Sequence, residues 1–525
     1  KTYVIGMGQA GVNASSLAAL DRMALLGGTD TAFIGDNETN LAQAFEEIVN
    51  KVDSIGRGGS AVALNSSAFQ AGSAVFQAKF KANNWSGSLL SFSANADGVL
   101  GKIATTPSWD AGALLKARVS ERSIITYKAS ASPGARGVPF RWPSSYPGTP
   151  AATELELAQS DEINKNAAGT TDSNGALRMA YLRGDKTREA ANCPTCTPQF
   201  RNRPDGPLGD IVNSAPVFVG APSFGYANDF EAAPYGTFAT TNKDRKKVVY
   251  VGANDGMLHA FDAADGTELF AYVPASLYAK LSQLSNPNYA HRYYVDGTPT
   301  VGDVYYASPS AWHTLLVAGM RGGAKGVFAL DVTDPAGFTN EANAASIVRW
   351  EFQDSADMGY VFGPPLIVKT NNGRWSVIVS GGYENTSGNA VLFVIDAQNG
   401  TLTRKLDTGS GTNNGLSGPA AIDTNGDGVV DLVYAGDLNG NLWKFDLTSS
   451  DESLWAVGNG GGALYAAGTT KPITSAPDVT RHPKGGYLIS FGTGRYIDEN
   501  DNTNNNAQSM YAVWDNLTNG TVTQG

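Results

Sequence analysis

The sequence predicts a mainly β fold built from repeated small antiparallel sheets, and three observations predict it. Gly contributes 61 of the 525 residues and charged side chains only 17%, a composition of many tight turns. Asn-Gly and Asp-Gly pairs recur between apolar stretches and supply the positive φ angles that two-residue hairpin turns require. From Leu208 onward a unit of short strands repeats five times, at the spacing of propeller blades.

Residues 1–55 differ from the rest. Tyr3-Val4-Ile5-Gly6 reads as a buried strand, and the chain opens on it directly, as expected of a processed or excised fragment. Residues 15–26 read as an Ala/Leu-rich amphipathic helix closed by Gly27-Gly28, and Thr31-Ala32-Phe33-Ile34 as a second strand. Asn37 caps a second expected helix, to Val52, with Leu41, Phe45 and Ile48 on one face at helical spacing. Strand–helix–strand–helix is an α/β pattern, too short here for a complete doubly wound sheet. It resembles the C-terminal part of a von Willebrand factor A domain. The Asp-x-Ser-x-Ser element with which such domains bind metal is not in this stretch, so no metal site is expected there.

Residues 56–207 are expected to form a connecting β-unit and a long excursion. Residues 74–80 and 87–92 alternate like strands, Trp109-Asp110-Ala111-Gly112 and Ser123-Ile124-Ile125-Thr126-Tyr127 follow, and residues 152–168 have helical character. Residues 208–525 are the expected propeller. Its first repeat contains Ser214-Ala215-Pro216-Val217-Phe218-Val219, Val248-Val249-Tyr250-Val251-Gly252, Leu258-His259-Ala260-Phe261-Asp262 and Glu268-Leu269-Phe270-Ala271-Tyr272. Later repeats open on Thr298-Pro299, Gly363-Pro364, Gly418-Pro419 and Ala476-Pro477. Each continues with a strand ending in Gly (Gly319, Gly381, Gly436, Gly492) and a strand ending in Asp (Asp331, Asp396, Asp446, Asp515). Each such sheet has apolar faces it cannot bury alone, which is why the copies must stack.

A net charge of −11 repels phosphate backbones, which excludes nucleic acid as a partner and favours divalent cations. No apolar run approaches the roughly 18 residues of a membrane span. The two cysteines, Cys193 and Cys196, stand in C-P-T-C. Two ligands cannot complete a tetrahedral zinc site, and the strand-to-helix setting of a redox pair is missing. A small local disulfide is expected, as in an exported protein, with a free dithiol as the alternative.

The sharpest motif is Asp423-Thr424-Asn425-Gly426-Asp427-Gly428-Val429-Val430-Asp431. Calcium takes a cage of hard oxygens, and a short loop gathers one by placing side-chain oxygens at alternate positions. Asp423, Asn425 and Asp427 do this. Gly428 is sixth, where such a loop turns sharply, Val429 is seventh, where a backbone carbonyl ligates, and Asp431 is ninth. Tyr434 stands twelfth in place of a bidentate Glu, and the flanks are strands, so this is a calcium loop between β-strands rather than a helix–loop–helix hand. Arg183-Gly184-Asp185 is a candidate integrin-type adhesion motif, set against the reading of an ordinary surface turn. Enzyme features are weak. The four histidines, His259, His291, His313 and His482, show no metal spacing, and there is no nucleophile elbow or phosphate loop. Asp303, Asp331, Asp396 and Asp446 are expected to satisfy turn backbone groups. The chain is therefore read as a non-enzyme.

Tyr181-Leu182-Arg183-Gly184-Asp185, Leu208-Gly209-Asp210-Ile211-Val212-Asn213-Ser214-Ala215-Pro216, Val251-Gly252-Ala253-Asn254-Asp255-Gly256-Met257-Leu258-His259-Ala260-Phe261 and the loop 423–431 together resemble the C-terminal half of the PilC/PilY family. These are type IV pilus tip-associated proteins, and the von Willebrand A-like segment fits their layout. The resemblance implies a modified, seven-bladed quinoprotein-like propeller at the pilus tip or outer-membrane surface of a Gram-negative bacterium. It implies a protein that promotes pilus assembly, opposes retraction, adheres, and has pilins and a host-cell receptor as partners. It also implies calcium, switching between extension and retraction, held by Asp423, Asn425, Asp427, the Val429 carbonyl and Asp431. The family continues past the point matching Trp514-Asp515, so the ring is expected to be unclosed or closed by residues beyond this chain. Thr170-Thr171-Asp172-Ser173-Asn174-Gly175 carries too few carboxylates for the second calcium loop of some members. Two rival readings are a quinoprotein dehydrogenase, which shares the propeller, and a plain adhesin without a role in pilus dynamics.

Overall fold

Successive residues of a β-strand point to opposite faces, and in this chain both faces are apolar. In Val248–Ala253 the side chains of Val248 and Tyr250 enter one buried cluster, and those of Val249, Val251 and Ala253 another. Ser310–Gly319 divides in the same way, with Leu316 and Ala318 on one side and Leu315 and Val317 on the other. So do Trp375–Ser380, through Ile378 against Val377 and Val379, and Leu432–Gly436, through Val433 and Ala435 against Leu432 and Tyr434. This is why the inner strands read as unbroken apolar runs rather than alternating ones.

The computed structural model describes residues 5–7, 20, 22–24, 32–35, 57–64, 73–94, 102–411, 413–497, 499–518 and 520–522. The chain divides into two units, Lys1–Gly59 with Phe80–Trp85, and Ser60–Lys79 with Ser86–Gly525. In the first, Ile5–Met7 pairs in parallel with Phe33–Gly35, and residues 22–24 between them are helical. A parallel pair needs such a crossover, which agrees with the α/β reading. The helix expected over residues 37–52 lies outside the described residues.

The larger unit is a series of antiparallel sheets in chain order. Val217–Val219, Val248–Ala253, Met257–Asp262 and Glu268–Val273 form the first repeat's blade. The next is Thr300–Ala307, Ser310–Gly319, Val327–Asp331 and Val348–Phe352, and the third Leu366–Lys369, Trp375–Ser380, Val391–Asp396 and Leu402–Asp407. The fourth is Ala420–Ile422, Leu432–Gly436, Asn441–Asp446 and Ala456–Val457, with Tyr465–Ala466 also paired to its third strand. The fifth has three strands among the described residues, Asp478–Arg481, Tyr487–Gly492 and Met510–Asp515. One further four-stranded sheet, Arg57–Leu64, Ala74–Lys81, Ser86–Ser93 and Trp109–Asp110, precedes them. Within the larger unit its Phe76, Ala78, Leu89 and Trp109 share a core with Val249, Val251 and Phe261 of the first repeat.

The excursion is welded to the first blade. Ile124–Tyr127 adds in parallel to Glu268–Val273, and Gly137–Pro139 pairs outside it, so the sheet grows to six strands. Helices Leu157–Ile163 and Gly175–Leu182 send Ile163, Met179, Tyr181 and Leu182 into the same core. Each fully buried side chain of this kind contributes roughly 1.5–3 kcal/mol. Among the described residues no helix is long and apolar enough to cross a membrane.

Candidate metal centre

The loop 423–431 joins Ala420–Ile422 to Leu432–Gly436, the first two strands of the fourth blade. Its alternating polar residues form a continuous run of side-chain-to-backbone turns, as Asx residues do where the chain leaves a strand. Asp423 Oδ1 accepts from Asn425 N at 3.1 Å, Asn425 Oδ1 from Asp427 N at 2.9 Å, and Asp427 Oδ1 from Val429 N at 2.8 Å. Asp423 also accepts from Gly426 N at 2.6 Å and Gly428 N at 2.7 Å, and Asp427 Oδ2 from Asn425 Nδ2 at 3.1 Å. Gly426 and Gly428 take φ of 85° and 84°, the left-handed region where a Cβ is disfavoured. The run thus draws the side-chain oxygens of positions 423, 425 and 427 in toward one stretch of backbone.

Asp431 closes the loop. It is 4% exposed. Its Oδ2 accepts from Thr424 N at 2.8 Å and from Thr424 Oγ1, and its Oδ1 from Asn371 Nδ2 at 3.0 Å. Burial alone would raise the Asp423 carboxyl, but the amides of Gly428, Gly426, Asn425 and Asp427 outweigh it and hold the group below its ordinary value. Among the described residues no three His, Cys, Asp or Glu side chains already converge as a metal cage, because these carboxylates are turned onto the loop's own amides. The donor set nevertheless fits a hard cation. An ionised carboxylate offers about four acceptor positions, and Asp427 uses one on each oxygen. Asn425 to Gly428 are exposed to solvent, so a cation has access. The residues able to hold it are Asp423, Asn425, Asp427 and Asp431 by side chain and Val429 by its carbonyl.

The other singled-out residues behave differently. Arg183 caps the helix Gly175–Leu182 and turns inward: its guanidinium donates to Phe140 O and Arg122 O, each at 2.8 Å, and to Glu341 Oε1 at 2.9 Å. Asp185 is exposed, and its carboxylate accepts from Thr187 N at 2.8 Å and Thr187 Oγ1 at 3.0 Å. Gly184 spans the two at φ 113°. The cation and the anion of the triplet are therefore not presented together. Cys193 and Cys196 are joined as a disulfide. Asp172, in the stretch too poor in carboxylates for a second calcium loop, is paired with Arg178 at 2.6 Å.

Asp331, Asp396 and Asp446 do accept from turn amides, those of Thr333, Gln398 and Thr448. Asp303 does not. It lies inside Thr300–Ala307, fully buried, and accepts from Tyr235 OH at 2.7 Å and Thr314 Oγ1 at 2.6 Å. His313 pairs with Asp331 at 2.7 Å, and His482 accepts from Lys484 N. His259 is fully buried between Glu268 (2.8 Å) and Asp255 (3.1 Å), and Glu268 is held from its other side by Arg122 at 2.7 Å. This closed set of charges is a structural brace. Sequence reading missed Phe230, whose ring would lie 3.0 Å from a Cβ placed on Gly428, and Asn371. No local signal marks either.

A family model described as the PilY1 beta-propeller domain matches residues 208–525. The type IV pilus biogenesis factor PilY1 of Pseudomonas aeruginosa strain PAK is 36% identical over 534 residues, covering 93% of this chain and 43% of that protein. A PilY1 homologue of Xylella fastidiosa is 35% identical over 518 residues, covering 90% of this chain and 34% of that protein. The chain thus spans less than half the length of these relatives. The crystal structure of the P. aeruginosa PilY1 C-terminal domain matches with a TM-score of 0.49 and 39% identity, over 58% of this chain and 65% of that one.

Proposed function

This chain belongs to the PilY1 family of type IV pilus biogenesis factors, and on that premise we propose that it is a calcium-binding, non-enzymatic component of the type IV pilus machinery. In this reading it acts outside the cell, at the pilus tip or outer-membrane surface of a Gram-negative bacterium. It engages pilins, promotes assembly, opposes retraction and supports adhesion to host surfaces. We assign the adhesive role to the outer surface at large and not to Arg183-Gly184-Asp185, because Arg183 is committed to Glu341.

The observation that carries the reading is the loop 423–431, with its oxygen donors in calcium order, inside the region that matches the PilY1 propeller. Bound there, calcium would neutralise three carboxylates and tie the first strand of the fourth blade to its second. A loop without a bidentate Glu belongs toward the weaker range, on the order of micromolar to millimolar, where occupancy follows external calcium. Asp427→Ala removes an exposed ligand without touching the core. Calorimetry is expected to show calcium binding by the wild-type chain and none by this variant, and cells carrying the variant are expected to change in surface piliation and twitching. Equal binding by both would misplace the site. Lost binding with unchanged piliation and motility would leave the calcium purely structural. The dehydrogenase alternative predicts a quinone absorbance after cofactor reconstitution, and on the present reading none develops.

A further inference from the structure

The calcium loop is held by a neighbour. Leu366–Lys369 and Trp375–Ser380 of the third blade are joined by a hairpin turn containing Thr370, Asn371 and Asn372, and this turn reaches across to the fourth. Val430 N donates to Lys369 O at 2.9 Å, forming a parallel bridge between Thr370 and Val430. The Asn371 amide nitrogen then lies 3.1 Å from Val430 O, 3.0 Å from Asp431 Oδ1 and 3.0 Å from Leu447 O. Three acceptors surround one NH2 group. With the amide turned over, its oxygen would face two carbonyls and a carboxylate, so the orientation is fixed by chemistry.

We propose that Asn371 is a positioning residue for calcium in the loop 423–431: it anchors Asp431 Oδ1 so that Oδ2 is presented at the loop's first turn, beside Thr424. The inference rests on the calcium reading above. Asp431 is the ligand farthest along the loop from Asp423, and the only one of the four side-chain donors that is buried. Its carboxylate plane is set from both sides, with Thr424 on Oδ2 and Asn371 on Oδ1. A cation approaching the loop competes with Thr424 for Oδ2. Oδ1 stays with Asn371, so the carboxylate does not rotate away when the Thr424 bonds give. A hydrogen-bond donor behind a metal-ligating carboxylate acts in this way, by fixing the ligand's direction. The same contact makes occupancy of a fourth-blade loop depend on a third-blade turn.

The test is a calorimetric calcium titration of the whole chain as wild type, Asn371→Ala, Asn371→Leu and Asn372→Ala. Leu keeps the branching and heavy-atom count of Asn while removing the donor. Asn372 sits in the same turn but donates to Glu452 Oε2 at 2.6 Å, away from Asp431. Both Asn371 variants are expected to lose about 10–100-fold in calcium affinity, and Asn372→Ala none. Terbium in place of calcium supplies a signature that lowered stability would not: its luminescence lifetimes in H2O and D2O should report about one additional bound water in the Asn371 variants, where Asp431 no longer ligates. Unchanged affinity in the Asn371 variants, equal losses in all three, or unchanged terbium hydration overturns the proposal while leaving the calcium site standing. A wild-type chain that binds neither ion overturns both.

Discussion

His259 has no exposure to solvent, and its two ring nitrogens face Glu268 and Asp255. Burial alone would push its proton off; the two carboxylates outweigh burial and raise its pKa from 6.5 to about 9. Glu268 is driven the other way: burial would raise it, but Arg122 and His259 hold it far below the usual carboxylate range. A histidine with a raised folded pKa contributes its stability in full below the unfolded value, and loses it as pH rises through the folded one. The difference in thermal midpoint between wild type and His259→Gln should therefore be largest at pH 6.5 and below and shrink toward pH 9, with a loss on the order of a few kcal/mol. A constant difference across that window would mean the buried imidazole is neutral. At this scale the loop 423–431 was legible in the sequence as a turn of alternating oxygen donors, because those residues are contiguous and their spacing is regular. Asn371 was not, because it stands 60 residues from Asp431 and nothing in Thr370-Asn371-Asn372-Gly373 distinguishes it from any other turn. Arg183 and Asp185 illustrate the opposite failure. Their adjacency suggested a displayed pair, but Glu341, whose partnership no local pattern announces, draws the arginine inward.

Strands are joined to their neighbours by a few buried polar contacts as well as by apolar packing. Between the fourth and fifth blades, Lys444 Nζ lies 3.0 Å from Asp515 Oδ2, and Tyr434 OH donates to the same oxygen at 2.9 Å. Both charged side chains are almost wholly buried, at 6% and 1% exposure. Asp515→Ala would leave an ammonium and a phenol without their acceptor, a change that costs about 3–5 kcal/mol for a buried pair. Calorimetric unfolding should show that loss, and the double variant Lys444→Met with Asp515→Leu should recover the share owed to the stranded ammonium, since apolar side chains of similar size can replace a buried pair with little penalty, while the Tyr434 phenol still lacks its acceptor. A double variant no more stable than Asp515→Ala would show that the pair sets blade register. The second and third strands of each repeat were legible as apolar runs closed by Gly or Asp. The parallel addition of Ile124–Tyr127 to Glu268–Val273 was not, because a strand's partner across more than a hundred residues leaves no periodic trace. Asp303 was misjudged for a related reason. Its strand continues to Ala307, so it lies mid-strand with Tyr235 and Thr314, not at a turn.

Over the whole of the larger unit, each buried cluster belongs to two successive sheets. One lies between the first and second repeats, one between the second and third, and so on to the fifth, and the sheet preceding the repeats shares the cluster before them. The repeat spacing made this stacking order legible, since units of one pattern bury their faces against each other. Such an arrangement confines a local disturbance to the sheets that share its contacts. On the proposed calcium reading, removing the ion from the loop 423–431 would leave Asp423, Asp427 and Asp431 to repel one another. The exchange of Asp431 Oδ2 between calcium and Thr424 would be felt through Asn371 and the Val430–Lys369 bond in the third blade's turn. The apolar cluster between the second and third blades meets the loop through the Phe230 ring beside Gly428 and, among the described residues, takes no part in its polar contacts. Hydrogen exchange with and without a chelator should therefore show faster exchange at Gly428, Val430 and Asp431, and more weakly at Gly373 and Arg374. Leu315 to Ala318 and Val249 to Val251 should be unchanged. Exchange rising evenly through every sheet would mean that calcium governs global stability. An unchanged third-blade turn beside a loosened loop would mean that the blades are uncoupled at Asn371. On the proposed reading, the expected pattern would make the loop a local sensor, changing the edge of two adjacent blades in response to external calcium while the stacked sheets behind it stay folded.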